Sequence, residues 1–293
     1  MMDRKEFLIK ILGLSMGLAG LSSFRNLSDG LKENGYKMPI LFIGHGSPMN
    51  GIEQNEFTEN WSNVVRNFPT PQMVLVVSAH WLTKGTGITA MNQPKTIHDF
   101  GGFPQELFNV QYPAPGSQIY AEETAHIIQG TDVFLDHDWG LDHGTWTVVR
   151  HMYPEANIPV LQLSIDYTKG PEYHYQLAQE LQQLRKKGVL IIGSGNMVHN
   201  LRMVAWNKLN DKFGFDWALD ASEFFKKSIN NQDHKSLIEY YKQGQAVQLA
   251  VPTPDHYYPL LYTLGMSDNK DEIRIFNDEA VAGSLTMTCV QFG

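Results

Sequence analysis

Eleven histidines occur in the chain, and five of them stand where an α/β protein tends to place its chemistry. His45 follows the apolar run PILFI (39–43), His80 follows MVLVVSA (73–79), and His199 lies in GSGNMVHNL, just past VLIIGS (189–194). Each run is short, continuous and apolar, the pattern of a strand buried on both faces. Residues beyond the carboxyl ends of such strands line the crevice in which open α/β sheets hold their ligands. His143, in LDHGTW, and His256, in TPDHYYPLL, sit in segments bounded by Gly or Pro that can reach the same edge. Neutral imidazole suits Fe, Zn, Cu and Ni. Three imidazoles converging from separate strand ends leave metal positions open for water or substrate. A further histidine, not ligated, serves as a base near neutral pH. Spacing alone therefore reaches a mononuclear metal enzyme with a small substrate, and stops short of the reaction.

Five of the remaining six histidines read differently. His98, in TIHDFGGFP beside Phe100 and Phe103, either lines a pocket for an aromatic ring or orders its own loop, the second being the simpler role. His126, His151, His174 and His234 fall in helical or surface-like segments and read as structural. Other signatures fail. GSGNMV carries Val198 where a dinucleotide fingerprint needs its third glycine, no P-loop or H-E-x-x-H occurs, and Ser47 in GHGSP lacks a nucleophile elbow.

The elements that must position these residues alternate between strand and helix. EFTENWSNVVRNF (56–68) places Phe57, Trp61 and Val65 on one helical face. EYHYQLAQELQQLRKKG (172–188) aligns Leu177, Leu181 and Leu184, ends in basic residues that suit a helix C-terminus, and stops at Gly188. WALDASEFFKKSIN (217–230) is similar. The last segment, 282–293, alternates and predicts a final strand, antiparallel and at an edge. The fold class is α/β: a central, mostly parallel, mixed sheet flanked by helices. Two long loops, 92–116 and 136–149, are rich in Gly, Pro and aromatic residues, and loops of that length inside a compact domain are usually functional. In GHG, Gly44 and Gly46 are expected to let the backbone turn sharply beside a bound group.

Composition narrows the classes. A 42% hydrophobic, 18% charged chain of 293 residues can build a large core. The net charge of -8 argues against nucleic acid, whose phosphates select basic patches. The single cysteine, Cys289, excludes an intramolecular disulfide and a cysteine-type zinc site. Residues 1–36 form an N-terminal extension, and 37–293 a single catalytic domain. Arg4 and Lys5 precede an apolar stretch, Ile11 to Leu21, that is too short to span a bilayer. It reads either as a secretory h-region, which would make the protein exported, or as an amphipathic extension of a cytoplasmic one. No other segment reaches membrane-span length.

Seven blocks in order, FIGHGSPMN, SAHW, TIHDFGGFP, YPAPGS, GLDHGTW, SGNMVHNLR and PTPDHYYPLLYTLG, resemble the DOPA 4,5-dioxygenase-type (LigB-like) branch of the class III extradiol ring-cleavage dioxygenases. The resemblance runs from about residue 38 to the C-terminus. It implies extradiol cleavage of a catechol, such as 3,4-dihydroxyphenylalanine, with O2 to a muconic semialdehyde. It implies His45, His80 and His256 as metal ligands, His199 as base or fourth ligand, and His143 as a hydrogen-bonding partner of oxygen or substrate. The wider superfamily uses two histidines and one carboxylate. Here His256 takes the third position, and the adjacent Asp255 is expected to point away, as neighbouring side chains usually do. Ring cleavage implies non-haem Fe(II), while an all-histidine set also suits Zn(II). Arg202 is a candidate for a substrate carboxylate, with a surface salt bridge as the simpler role. Two other classes use the same histidines: a mononuclear zinc hydrolase, which needs no O2, and a non-catalytic metal-binding protein.

Overall fold

The computed structural model describes residues 30–293 except positions 34 and 210; the signal-like segment lies outside the described residues. Ten strands follow one another as β1 (Ile40–Gly44), β2 (Met73–Thr83), β3 (Thr86–Thr89), β4 (Val133–Asp136), β5 (Val160–Asp166), β6 (Val189–Gly195), β7 (Ile273–Phe276), β8 (Ala280–Val281), β9 (Leu285–Thr286) and β10 (Cys289–Phe292). The longer helices are α1 (Glu56–Val64), α2 (Gln118–Ile127), α3 (His143–Met152), α4 (Pro171–Glu180), α5 (Asp216–Asn230) and α6 (Tyr258–Met266).

Eight strands form one mixed sheet in the order β4-β3-β5-β2-β6-β1-β10-β7, and β8 pairs with β9 apart from it. The middle four, β5, β2, β6 and β1, are mutually parallel. Their carboxyl ends therefore meet at one edge of the sheet. Side chains alternate across it: Ile40 and Phe42 of β1 enter one core, while Leu41 and Ile43 enter the other. The first core is covered by α2, α4, α5 and α6, and the second by α1 and α3. Burial on both faces is why these strands read as unbroken apolar runs. Each fully buried Val, Leu or Ile contributes roughly 1.5–3 kcal/mol.

Several boundaries differ from the sequence reading, each for a local reason. Helix α1 opens with a capping box, in which Asn55 accepts from the N–H groups of Phe57 and Thr58, and ends at Val64 rather than residue 68. Helix α4 ends at Glu180, and Leu181–Lys187 tightens into a 3-10 turn before Gly188, which has a left-handed φ of 66°. The tightening turns Arg185 into the protein instead of leaving it at a helix terminus. Its guanidinium is fully buried, pairs with Asp271 at 2.6 Å and donates to the carbonyls of Met38, Met266 and Phe292. Strand β10 is antiparallel to β1, as expected of the last segment, but it is not at the edge. The four-residue β7 pairs outside it and caps the sheet. Strand β2 runs to Thr83 and so contains His80; its register against β5 shifts between Val77 and Leu82. Among the described residues no helix is long and apolar enough to cross a membrane.

Candidate metal centre

His45 leaves β1 at the parallel edge, with its N–H donated to the Gly195 carbonyl of β6 at 3.2 Å. Its ring is 2% exposed. The Ser194 hydroxyl donates its one proton to the Gly144 carbonyl, so it can only accept from His45 Nδ1 at 3.0 Å. That bond fixes the tautomer and leaves His45 Nε2 bare, 3.1 Å from His80 Nε2. The two flanking glycines act differently. Gly46 takes a left-handed φ of 64°, which turns the chain away from the site. Gly44 stays within the strand, and a Cβ there would lie 2.7 Å from the Met287 carbonyl carbon. Close approach, rather than a turn, is its reason.

His80 stands on the stretch of β2 where the regular register lapses, and across from it lies Asp99. The Asp99 carboxylate accepts from His143 N–H and from His143 Nδ1, both at 2.9 Å, and its Oδ2 is 3.4 Å from His80 Nδ1. Burial alone would raise the Asp99 pKa, but the hydrogen bonds and charge of His143 outweigh it and hold the carboxyl below its usual range. His143 opens α3, placed there by Asp142, which caps the helix by accepting from Thr145 N–H. Asp142 also accepts from Ser78 of β2 at 2.7 Å and Gln162 of β5 at 2.6 Å. One buried carboxylate thereby ties the helix start to two strands, although burial, and then the charge of Asp99, pushes its own pKa up.

His256 arrives from the turn before α6, where its carbonyl accepts the Asn196 N–H at 2.9 Å. Its ring lies 5.3 Å from that of His45 and 4.9 Å from that of His80, centre to centre. Asp255 does not point away as expected: the tight turn folds its carboxylate back onto His256 Nδ1 at 2.5 Å. Burial would raise the Asp255 pKa, but His256 outweighs it and the carboxyl stays ionised. His199 stacks on His256, with centroids 3.5 Å apart and planes within 6°. Burial, then the neighbouring His256, lowers the His199 pKa to about 3. Burial, followed by the other histidines, also holds His45 and His80 well below the ordinary imidazole value. At neutral pH these three rings are uncharged and carry free lone pairs.

Nitrogen atoms of His45, His80 and His256 lie within 4.8 Å of one another, and two further groups, His80–Asp99–His143 and His199–Asp255–His256, share members with that set. The donor chemistry fits a metal. Nitrogens about 2.0–2.1 Å from one ion lie about 3.3 Å apart at a tetrahedral angle and about 2.9 Å apart at a right angle. The 3.1 Å between His45 and His80 falls inside that span.

The other predicted residues fall around this centre. His98 bonds the Val110 carbonyl at 3.0 Å across its loop and sits among Phe100, Phe108 and Trp146, while Phe100 packs edge-on against His143 at 5.5 Å. Arg202 makes no ion pair with a described residue, so the surface salt bridge expected of it is absent. Instead it bounds a cleft of about 210 Å3 with His199 and His256. His126, His151, His174 and His234 are each held by a nearby oxygen. His174 lies within helix α4, as one of the two readings had it, and is fully buried. Sequence reasoning missed Asp99, Asp142 and Ser194. Asp142 alone carried a readable signal, an Asp three residues before Thr145 at a helix start.

Comparisons with known proteins give the family. The family model described as the catalytic LigB subunit of aromatic ring-opening dioxygenase matches residues 38–282. The chain is 45% identical over 261 residues to a 4,5-DOPA dioxygenase extradiol of Escherichia coli (strain K12), covering 88% of this chain and 95% of that one. It is 32% identical over 258 residues to a 4,5-DOPA dioxygenase extradiol of Beta vulgaris, covering 86% and 95%. The crystal structure of an uncharacterized protein from Escherichia coli K12 superposes with a TM-score of 0.74 at 40% identity, covering 87% of this chain and all of that one. The chain belongs to the LigB family of class III extradiol dioxygenases, enzymes that open aromatic rings.

Proposed function

We propose that residues 37–293 form one catalytic domain that opens the ring of a catechol such as 3,4-dihydroxyphenylalanine, using a metal held by His45, His80 and His256. One observation carries this reading. Ser194 fixes His45 with Nε2 bare, and His80 and His256 bring ring nitrogens within 4.8 Å of it and of each other, so three imidazoles from separate elements converge as the ligands of a single ion do. Iron(II), bound there, supplies the one-electron chemistry that lets a catechol react with dioxygen, which zinc lacks.

The chain's own residues do the rest. Asp99 holds His143 Nδ1–H, which leaves Nε2 to accept a hydrogen bond from a substrate hydroxyl. His199, stacked beside His256, is the ring placed to take a phenolic proton from the catechol. Phe100 forms an apolar wall against His143 for the aromatic ring. His98 shapes that wall by tying its loop to Val110. Metal analysis of four alanine variants tests the assignment. His45→Ala, His80→Ala and His256→Ala each lose bound iron, whereas His199→Ala retains it and loses at least a hundredfold in turnover. Loss of iron from His199→Ala would make His199 a fourth ligand, and full iron content in His45→Ala would contradict the ligand set.

A further inference from the structure

The cleft beside His199 and His256 carries one fixed positive charge. It is lined by Leu201, Arg202, Thr253 and Asp255 together with those two rings. Its carboxylate, Asp255, is already held by His256 Nδ1. Its guanidinium, on Arg202, forms no ion pair with a described residue. Asn200 Oδ1 accepts the Arg202 N–H at 3.2 Å and caps the short turn Leu201–Met203, which sets Arg202 three positions beyond His199. Arg202 is exposed, so its guanidinium is open to a ligand, and what sets it apart from other exposed cations is its place on the wall of a cleft shared with His199 and His256. A guanidinium there presents parallel donors that match a carboxylate better than any other small group.

We infer that Arg202 anchors a carboxylate on the side arm of the substrate, so the enzyme selects catechols bearing an acid group over those without one. This rests on the catechol reading above and extends it from the ring to the arm. Leu201, 51% exposed, supplies an apolar surface for the methylenes between ring and carboxylate.

The test uses zinc-loaded protein, which binds a catechol without consuming it, and isothermal titration with two ligands that differ only in the arm. Wild type binds 3-(3,4-dihydroxyphenyl)propionate more tightly than 4-methylcatechol. Arg202→Gln weakens the propionate roughly tenfold to a hundredfold, as loss of a charge-assisted bond does, and at least tenfold more than it weakens 4-methylcatechol. Arg202→Lys recovers part of that loss. 3,4-Dihydroxyphenylalanine follows the propionate, and dopamine follows 4-methylcatechol. Equal weakening of both ligands, equal wild-type affinities, or no propionate binding would overturn the inference. Parallel assays of iron-loaded wild type with both 3-(3,4-dihydroxyphenyl)propionate and 4-methylcatechol keep the two readings apart. Equal cleavage of both sinks the arm assignment alone, and absence of cleavage of either sinks the catechol reading while the titrations still report on Arg202.

Discussion

Asp99 shows how much of this site depends on residues that are not themselves ligands. Its carboxylate takes both the backbone and the ring N–H of His143 and lies beside His80. Asp99→Asn keeps the shape and removes the charge. Partners of this kind are worth roughly tenfold to a hundredfold in activity or metal affinity, and the account places the loss in kcat, with iron content unchanged by elemental analysis. Ser194→Ala should act on the other quantity: iron affinity falls roughly tenfold, because His45 Nδ1 loses the acceptor that fixes its tautomer. Metal titrations of both variants separate the two effects. His45, His80 and His199 were legible because each stands just past a continuous apolar run, and His143 and His256 because Gly or Pro bounds their segments. Asp99 was not, because its partner His143 lies 44 positions away and only the folded loop brings them together. Asp255 was misread for a related reason, since a turn brought back a side chain that an extended backbone would have sent outward.

At the scale of elements, the strand ends are fixed by contacts that leave no spare volume. A methyl group on Gly44 would overlap the Met287 backbone at 2.7 Å. Forcing extra volume into such a contact costs about 1–3 kcal/mol. In a domain of this size that lowers Tm by roughly 2–10 °C, so Gly44→Ala should unfold measurably earlier by circular dichroism and bind iron more weakly. An unchanged Tm would remove Gly44 from the account. The buried parallel strands were readable because burial on both faces writes a continuous apolar run. Strand β7 was not, since only four residues, half-buried and alternating, mark it. The extension of β2 through His80 was hidden for the same reason: its register lapses there, and pairing with β5 resumes only at Leu82.

At the scale of the whole molecule, four rings, two buried and two partly buried, make stability depend on pH. His45, His80, His174 and His199 all have pKa values lowered by burial, to about 4 for His174 and about 3 for His199. In the unfolded chain the same rings protonate near 6.5. Between about 6.5 and 4 the unfolded state therefore binds more protons, so their contribution is complete above 6.5 and is lost as pH falls. Each ring's contribution falls away as the pH drops below 6.5. Urea unfolding of metal-free protein should show stability falling steadily from pH 7 to pH 5, and a flat profile would mean the rings are not buried neutral. The α/β class, the parallel edge and the family were legible at this scale, because seven ordered blocks spread along the chain reflect one fold. The most direct test of the central claim is anaerobic loading of the metal-free protein with Fe(II), addition of 3,4-dihydroxyphenylalanine, and then admission of dioxygen while the visible spectrum is followed. Iron-loaded protein should give a yellow semialdehyde with one O2 consumed per ring opened, and zinc-loaded protein none. No ring-opened product from the iron-loaded enzyme with this or any other catechol, or equal turnover with zinc, would contradict that claim.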